Sequence, residues 1–268
     1  MSGSERGRRR ALVGAVLAVA LVLAACGGDD DEEAGADAAG PGADDTTTTT
    51  AAAAAEAADV SWVAQAKEGV PQIDVFDEPG AAAPIHQLAN PKRVDDRGNS
   101  APLVFLVQGT DVSDEWLPVY LPVPPNGSKG YVRAADVDLF THGYRITVEL
   151  GAHRLTLAEA GEPVLETTVG LGRAGRETPA GLYYITELLE APDPSGPYGP
   201  YAYGISGFQD DEEVRAEFGG EAVIGIHGTN QPDKLGEAVS SGCIRVGNDI
   251  ITEMAGMLPL GVPVEVVA

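Results

Sequence analysis

Two short stretches near the carboxyl end of the chain determine its fold class and chemistry: Val223-Ile224-Gly225-Ile226-His227-Gly228-Thr229 and Ser240-Ser241-Gly242-Cys243-Ile244-Arg245. The first is an apolar run that predicts a buried strand ending in a histidine. The second is a turn with a glycine directly before a cysteine, 16 positions after the histidine. Because a thiolate is a nucleophile and an adjacent imidazole accepts the thiol proton, the two stretches predict a cysteine–histidine site.

Each of these residues also has a structural explanation. A single cysteine is often an inert core residue, and a histidine at a strand end often only fills a hydrogen-bonding role. The turn favours a reactive site, since Gly242 allows a substrate to approach the backbone and the amides of Ser241, Gly242 and Cys243 are candidates to face an oxyanion. The remaining histidines lack such a neighbourhood and are predicted to be structural or surface residues: His86, His142 and His153.

Alternating apolar residues predict strands through the last half of the chain. Ile146 and Val148 alternate with polar residues, and Leu155 and Leu157 do so after the Gly151-Ala152 turn. Further strands are predicted over 164–169, 182–186 and 222–226.

Residues 191–207 are rich in proline, glycine and tyrosine, and they are predicted to form a long loop. Long loops over a scaffold often act as lids or binding segments. The loop supplies three candidate lid residues, for which packing is the alternative role: Tyr198, Tyr201 and Tyr203.

Residues 60–141 carry short β-type runs separated by turn residues. Strands are expected at 73–76, 103–107, 116–121 and 131–133, with a turn over 125–130. This arrangement resembles bacterial Src-homology-3-like (SH3-like) domains, which are small β-barrels. No cluster of acids, bases or nucleophiles stands out in this segment.

The first 59 residues have the composition of a targeting segment and a tether. A basic stretch is followed by an apolar run over 11–25, which is shorter than the roughly 20 residues of a spanning helix and predicts a secretory signal peptide over 1–25. The run ends in Leu23-Ala24-Ala25-Cys26, which resembles the lipobox of bacterial lipoproteins and implies a lipidated Cys26. The alternative is an ordinary signal peptide cut after Ala25.

The segment that follows Cys26 carries ten acidic residues and no basic ones between positions 27 and 59. It contains too little apolar surface to offset the entropy of ordering, and it is predicted to be a disordered, self-repelling tether over 26–59. A short helix in the alanine run at 51–55 is the alternative.

The composition excludes several classes of protein. The 268 residues include 17 Lys+Arg and 41 Asp+Glu, a net charge of −24, so the chain lacks the basic face that nucleic-acid binding requires. Two cysteines exclude a disulfide scaffold and a structural zinc site. No nucleotide-binding or cofactor motif is present, and no metal or cofactor is expected.

The stretch from His227-Gly228 to Ser240-Ser241-Gly242-Cys243-Ile244-Arg245 strongly resembles the L,D-transpeptidase catalytic (YkuD-like) family. Thr178-Pro179-Ala180-Gly181, the opening strands from Arg145 and Asn248-Asp249-Ile250 fit the same pattern, so the resemblance covers residues 143–268. It implies a mainly β-sandwich catalytic domain at 142–268, which would follow the SH3-like module at 60–141. Val246 and Ser241 depart mildly from the family pattern.

The resemblance also implies the roles of individual residues. Cys243 would be the nucleophile and His227 the base, with the Gly228 carbonyl orienting the imidazole. Ser240 would hold the turn, and Arg245 would support the loop or bind a substrate carboxylate.

The implied substrate is a peptidoglycan tetrapeptide stem outside the membrane. Cys243 would attack the carbonyl of the third residue and release D-alanine, and an amine of a second stem would take the acyl group to give a 3→3 cross-link. Water as acceptor would instead make the protein an L,D-carboxypeptidase. The middle module would bind the wall or position the substrate, or only pack against the next domain.

Other classes fit the residues less well. Papain-like wall hydrolases place the cysteine before the histidine, whereas here His227 comes first. A chymotrypsin-like cysteine protease has the right order, but its third triad member and long double barrel are not apparent. A non-catalytic wall-binding lipoprotein is the alternative from a different class.

Overall fold

A computed structural model describes residues 60–95, 97–109, 113, 115–217 and 222–268. The predicted signal peptide, Cys26 and tether lie outside these residues. Within the described ranges, no helix is both long and apolar enough to cross a membrane.

The segment before the catalytic motifs is built from short strands, as its turn-rich sequence predicts. Trp116–Tyr120 and Lys129–Arg133 form an antiparallel hairpin around the predicted turn. A strand at Ser61–Ala66 lies between two antiparallel neighbours in a three-stranded sheet. The strands are β1 (Ser61–Ala66), β2 (Gln72–Val75), β3 (His86–Ala89), β4 (Lys92–Arg93), β5 (Ser100–Ala101), β6 (Val104–Leu106), β7 (Trp116–Tyr120), β8 (Lys129–Arg133) and β9 (Val137–His142), with a 3-10 helix at Ala134–Asp136.

This segment has an apolar cluster of its own, which includes Ile73, Phe105, Leu117 and Val132. All four side chains are buried because alternate residues of each strand point to the same side. The assignment of the segment as an SH3-like barrel stays a prediction, as do the predicted domain boundaries.

The second half contains ten further strands among the described residues, and eight of them join in the order β12-β11-β10-β19-β14-β15-β16-β18. Their bounds are β10 (Tyr144–Glu149), β11 (Arg154–Glu159), β12 (Glu162–Thr168), β13 (Leu171–Gly172), β14 (Gly181–Glu190), β15 (Tyr201–Phe208), β16 (Val223–His227), β17 (Ala238–Ser240), β18 (Ile244–Arg245) and β19 (Pro263–Val267). Two helices, α1 (Glu212–Glu217) and α2 (Asn248–Met257), and a 3-10 helix at Pro232–Lys234 complete this half of the described chain.

The predicted alternation of apolar residues is confirmed in β10 and β11. Ile146 pairs with Leu157 and Val148 with Leu155, and all four side chains are fully buried. The same core contains residues from the far end of the strand order, such as Ile226. The group of strands before β14 in this order (β12, β11, β10 and β19) and the group after it (β15, β16 and β18) therefore share one core. They form a single sheet that curls around the core, whereas the family resemblance implies a sandwich.

The two groups are continuous through the ten-residue strand β14. Its first four residues pair with β19, and Ile185 and the residues beyond it pair with β15. This strand therefore carries the chain from one group to the other.

The prediction of a loop over 191–207 is wrong for its second half. Residues Tyr201–Phe208 form β15, which lies between β14 and β16. Glycines at 204 and 207 obscured the strand pattern, because a glycine supplies no side chain to show which face is apolar.

Side chains of the first and second halves pack together at several points. Tyr184, which is fully buried, donates a hydrogen bond to the Tyr120 carbonyl at 3.1 Å. Val63 packs in a small apolar cluster with Tyr184, and it also approaches the backbone of Gly261. Gly261 has φ +87°, and a Cβ atom there would lie 2.4 Å from Val63 Cγ1.

We therefore expect Gly261→Ala to destabilise the fold by about 1–3 kcal/mol, because the new methyl group clashes and the backbone is left-handed. Gly256→Ala is the matched control, since a Cβ at this helical position meets nothing within 4 Å. The control should be neutral or stabilising by up to about 1 kcal/mol. Urea denaturation measures both free energies of unfolding, and equal midpoints would contradict the prediction.

Candidate active site

The candidate site lies on one face of four neighbouring strands. Across β14, β15, β16 and β18, one row of register partners consists of Leu189, Ala202, His227 and Arg245. The next row on the same face begins with Glu187, Gly204 and Gly225 and reaches Cys243, the residue directly before β18. Both rows line a cavity of about 610 Å³. The structure therefore brings the predicted histidine and cysteine together at the same cavity.

His227 is the last residue of β16, and it is only 4% exposed. Its Nδ1 atom lies 2.6 Å from the carbonyl oxygen of Gly228. A carbonyl oxygen only accepts hydrogen bonds, so Nδ1 carries the proton and Nε2 presents a lone pair. The Gly228 carbonyl therefore fixes the tautomer of the ring.

Burial lowers the pKa of His227 to about 4, because the charged imidazolium would lose its hydration. The Gly228 carbonyl opposes this shift, whereas the positive charge of Arg245 adds to it. At neutral pH the ring is therefore an uncharged base.

Cys243 follows a tight turn that Ser240 holds in place. The Ser240 hydroxyl donates to the Cys243 carbonyl at 2.6 Å and accepts from the Gly242 amide at 3.1 Å. Gly242 has φ +119°, and a Cβ there would lie 2.7 Å from the Gln209 side chain. The glycine before the cysteine is therefore required by conformation and by space.

The thiol of Cys243 is free and half-buried. Burial raises its pKa above the ordinary value of 9.0, although a backbone hydrogen bond from Gly225 and the charge of Arg245 oppose the increase. Together with the lowered pKa of His227, this predicts a resting pair of thiol and neutral imidazole rather than an ion pair.

One of the three amides predicted to face an oxyanion is wrongly assigned. The Gly242 N–H donates to the Ser240 hydroxyl, so it is unavailable to a substrate. The N–H groups of Ser241 and Cys243 have no acceptor among the described residues. These two amides stay the candidates for that role.

Arg245 lies opposite His227 in the strand register. Its Nη1 atom donates to Gln231 Oε1 at 3.3 Å, and its main chain bonds to Gly170 in both directions. Its Nε atom is buried and has no partner within the described residues. The side chain therefore keeps an unpaired N–H donor at the cavity, in addition to its hydrogen bond with Gln231 in the loop after His227.

Of the three candidate lid tyrosines, only Tyr198 lies in a loop. Its ring centroid is 4.7 Å from that of His227, and the side chain is half exposed. The lid assignment is wrong for Tyr203, which is fully buried in β15 and donates to the Met254 carbonyl at 2.8 Å. Tyr201 is also a strand residue and packs against the core.

Two close glycines hold the Tyr198 loop against the histidine loop. A Cβ on Gly199 would lie 2.7 Å from the Cα atom of Gly228, so neither position accepts a side chain. The Asn248 side chain lies against both and accepts from the Thr229 amide at 2.7 Å. In the sequence Asn248 is only part of the Asn-Asp-Ile pattern, whereas in the structure its side chain holds the two loops together.

Three further side chains support the cysteine turn, and only one of them lies in a motif that the sequence shows. Buried Thr178 donates to the Gly242 carbonyl at 2.8 Å and accepts from the Gly172 amide. Gln209 donates to the Ser241 carbonyl at 3.2 Å, and Arg173 donates to the Ser240 carbonyl at 3.1 Å. The Thr-Pro-Ala-Gly motif signalled Thr178, whereas a lone Gln and Arg far away in the sequence gave no signal.

The described residues contain no group of three or more His, Cys, Asp or Glu side chains arranged to hold a metal ion.

Comparison with known proteins identifies the family of the second half. Residues 143–266 match the model of the L,D-transpeptidase catalytic domain, YkuD. A putative L,D-transpeptidase YkuD of Bacillus subtilis is 33% identical over 129 residues, which cover 48% of this chain and 69% of the relative. Its Bacillus licheniformis counterpart is 34% identical over 46% of this chain and 65% of its own length.

A solved structure from Bdellovibrio bacteriovorus, Bd1075, is 26% identical, and the match covers 46% of each chain with a TM-score of 0.36. The chain therefore spans about half of that protein, and about two thirds of the two Bacillus relatives. Because the Bacillus subtilis relative is 33% identical and is matched over 69% of its length, the chain belongs to the family of L,D-transpeptidase catalytic domains.

The pKa directions predict how Cys243 reacts with a small alkylating agent such as iodoacetamide. In a Cys26→Ser background, we expect the rate to keep rising through pH 9, because the thiol ionises only above its ordinary pKa. At pH 6–8 we expect His227→Ala to lower the rate, since the base is lost, and the two rates should converge at high pH. Peptide mass spectrometry follows the modification of Cys243.

A flat alkylation rate from pH 5 to 8 would contradict the neutral pair, since it would indicate a thiolate already paired with an imidazolium. An unchanged neutral-pH rate in His227→Ala would contradict the role of the histidine. Circular dichroism of each variant checks that the fold is retained.

Proposed function

We propose that the chain is a peptidoglycan L,D-transpeptidase that acts through a Cys243 thioester. The observation that carries the proposal is that the free thiol of Cys243 and the buried His227 line one cavity. The His227 ring presents a lone pair at Nε2. Membership of the L,D-transpeptidase family supports this reaction class.

In the first half-reaction the Cys243 sulfur attacks the carbonyl of the third residue of a tetrapeptide stem. His227 Nε2 takes the thiol proton, and the negative charge develops on the carbonyl oxygen near the free amides of Ser241 and Cys243. The bond to D-alanine then breaks, and the imidazolium returns the proton to the leaving amine. The products are a thioester on Cys243 and free D-alanine.

In the second half-reaction an amine of another stem attacks the thioester carbonyl. The amine loses a proton to His227, the carbon–sulfur bond breaks, and the thiolate recovers a proton from the imidazolium. The result is a 3→3 cross-link and the original thiol. Water in place of the amine would release a tripeptide, which is the L,D-carboxypeptidase reaction.

The turn supports explain why a neutral thiol suffices. Ser240, Thr178 and Gln209 fix the carbonyls of residues 241–243, so the attacking residue is held in place before substrate arrives. Positioning of this kind replaces part of the activation that a lowered thiol pKa would provide.

We also propose where the reaction takes place. The signal-peptide pattern and Leu23-Ala24-Ala25-Cys26 support a lipoprotein anchored to the outer face of the cytoplasmic membrane. The acidic stretch over 27–59 would extend the folded part towards the cell wall, where stem peptides lie. Residues 60–141 would bind the wall or position the substrate.

Incubation of the protein with a disaccharide-tetrapeptide tests the proposal by intact-mass spectrometry. We expect a mass gain on Cys243 equal to the stem without its D-alanine, followed by a cross-linked dimer once a second stem is present. Cys243→Ala should lose turnover by at least about 10³-fold, since the nucleophile is gone, with little change in stability.

Each product decides between the candidate reactions. A tripeptide with no dimer would move the assignment to an L,D-carboxypeptidase. A folded protein that gives neither adduct nor product, yet retains wall fragments on the Cys243→Ala variant, would support a non-catalytic binding lipoprotein. Turnover retained in Cys243→Ala would overturn the mechanism.

A further inference from the structure

The cavity contains a buried carboxylate that the proposed reaction does not use. Glu187 lies on β14, in the same row of register partners as Gly204, Gly225 and Cys243. Only 5% of Glu187 is exposed, yet it lines the cavity that holds the thiol. A carboxylate this buried requires partners, because removing its hydration is costly.

The two carboxylate oxygens of Glu187 have different surroundings. Oε2 accepts from the ammonium group of Lys92 at 2.9 Å and from the Thr186 hydroxyl. Oε1 has no hydrogen-bond partner among the described residues, and it is not sealed from solvent. One oxygen thus completes an ion pair with the first half of the chain, while the other is left unpaired at the cavity.

A β-bulge in β14 determines the direction of the Glu187 side chain. The register between β14 and β15 shifts between Ile185 and Glu187, so one extra residue is inserted at that point. Bulges redirect side chains and are frequent beside active sites. Glu187 Oε1 then lies so close to Gly204 that a Cβ there would come within 2.2 Å of it.

Two glycines form the floor between this carboxylate and the thiol. Gly204 and Gly225 are adjacent in the register, and neither carries a side chain to obstruct the path. Since Oε1 lies over Gly204, about two strand spacings, or roughly 10 Å, separate it from the Cys243 backbone. This length fits a substrate side chain that leads away from the carbon attacked by the thiol.

We propose that Glu187 Oε1 binds a primary ammonium group on the side chain of the third residue of the donor stem. The inference rests on the proposed function, because it assumes that the carbonyl of that residue is attacked by Cys243. A diamino acid with a flexible carbon stem of about four atoms carries its amine far enough to reach from the acyl carbon towards Gly204. Glu187 is then a specificity-determining residue that fixes the donor along the glycine floor.

Other charges at the cavity agree with this assignment. Arg245 and Arg97 line it and repel an ammonium group, so the amine is directed away from them. Glu190 also lines the cavity, but it is exposed and surrounded by water, which weakens its attraction for a cation. A buried oxygen without a partner is the stronger acceptor.

A purely structural role is the competing explanation, in which Glu187 only pairs with Lys92. That role uses Oε2 and the first half of the chain, whereas the proposed one uses Oε1 and the substrate. The two can be separated by variants that remove one contact each: Glu187→Gln removes the charge at both oxygens with little change of shape, and Lys92→Met removes only the ion pair. Glu190→Gln is the matched control for loss of one negative charge from the same cavity.

The experiment compares two synthetic tetrapeptide donors that differ only at the side-chain amine of the third residue. One carries a free side-chain amine on the third residue, and in the other this amine is acetylated and uncharged. The rate of Cys243 acylation, as kcat/KM from intact mass, gives a preference ratio for each variant. We expect a ratio of about 10 to 100 in the native protein, the range for a charge-assisted hydrogen bond.

We expect the ratio to fall near one in Glu187→Gln and to persist in Lys92→Met and Glu190→Gln. A ratio that is unchanged in Glu187→Gln, or that falls equally in Lys92→Met, would overturn the proposal in favour of the structural role. An acylation rate that falls equally for both donors would do the same.

Failure of the proposed function is recognised separately. If neither donor acylates a folded protein whose thiol still reacts with iodoacetamide, binding of both peptides to Cys243→Ala is measured by calorimetry. Tighter binding of the free-amine peptide, lost in Glu187→Gln, supports the ammonium subsite even where transpeptidation fails. Equal binding of the two peptides overturns it.

Discussion

The parallel pairing of β16 with β18 is the constraint on which the site depends. It places Ile226 beside Ile244 and His227 beside Arg245, so the cysteine directly before β18 lies next to the strand that ends in the histidine. The two residues are 16 positions apart in the chain and are neighbours only through this register. A slip by one residue would turn each side chain to the opposite face and separate the base from the thiol.

Around this pairing, hydrogen bonds that involve uncharged groups hold the histidine and the cysteine in position. The Gly228 carbonyl sets the tautomer of His227, and hydroxyl and amide side chains hold the turn that carries Cys243. Burial then favours the neutral form of each reactive group, lowering the pKa of the histidine and raising that of the thiol. In the proposed reaction, proton transfer therefore waits until a substrate carbonyl can accept the electron pair.

The parts of the site that could be predicted are those encoded in contiguous residues. His227, Ser240 and Cys243 lie in short motifs whose chemistry is visible in the sequence, and the alternation of β10 and β11 is equally local. Tyr203 was misassigned because the glycines of β15 hide its pattern. Glu187 gave no signal at all, since its meaning depends on a bulge and on three strand partners that no local pattern specifies.

The ion pair between Lys92 and Glu187 ties the catalytic half of the molecule to the half that precedes it. Val94 and Arg97, from the same β4–β5 hairpin as Lys92, also line the cavity. The reaction chamber is consequently a composite, with its chemistry supplied by one half and part of its wall by the other. Under the proposed function, substitutions in the earlier half can change which donor peptides enter without altering any reacting group, so selectivity and chemistry can evolve separately in one chain.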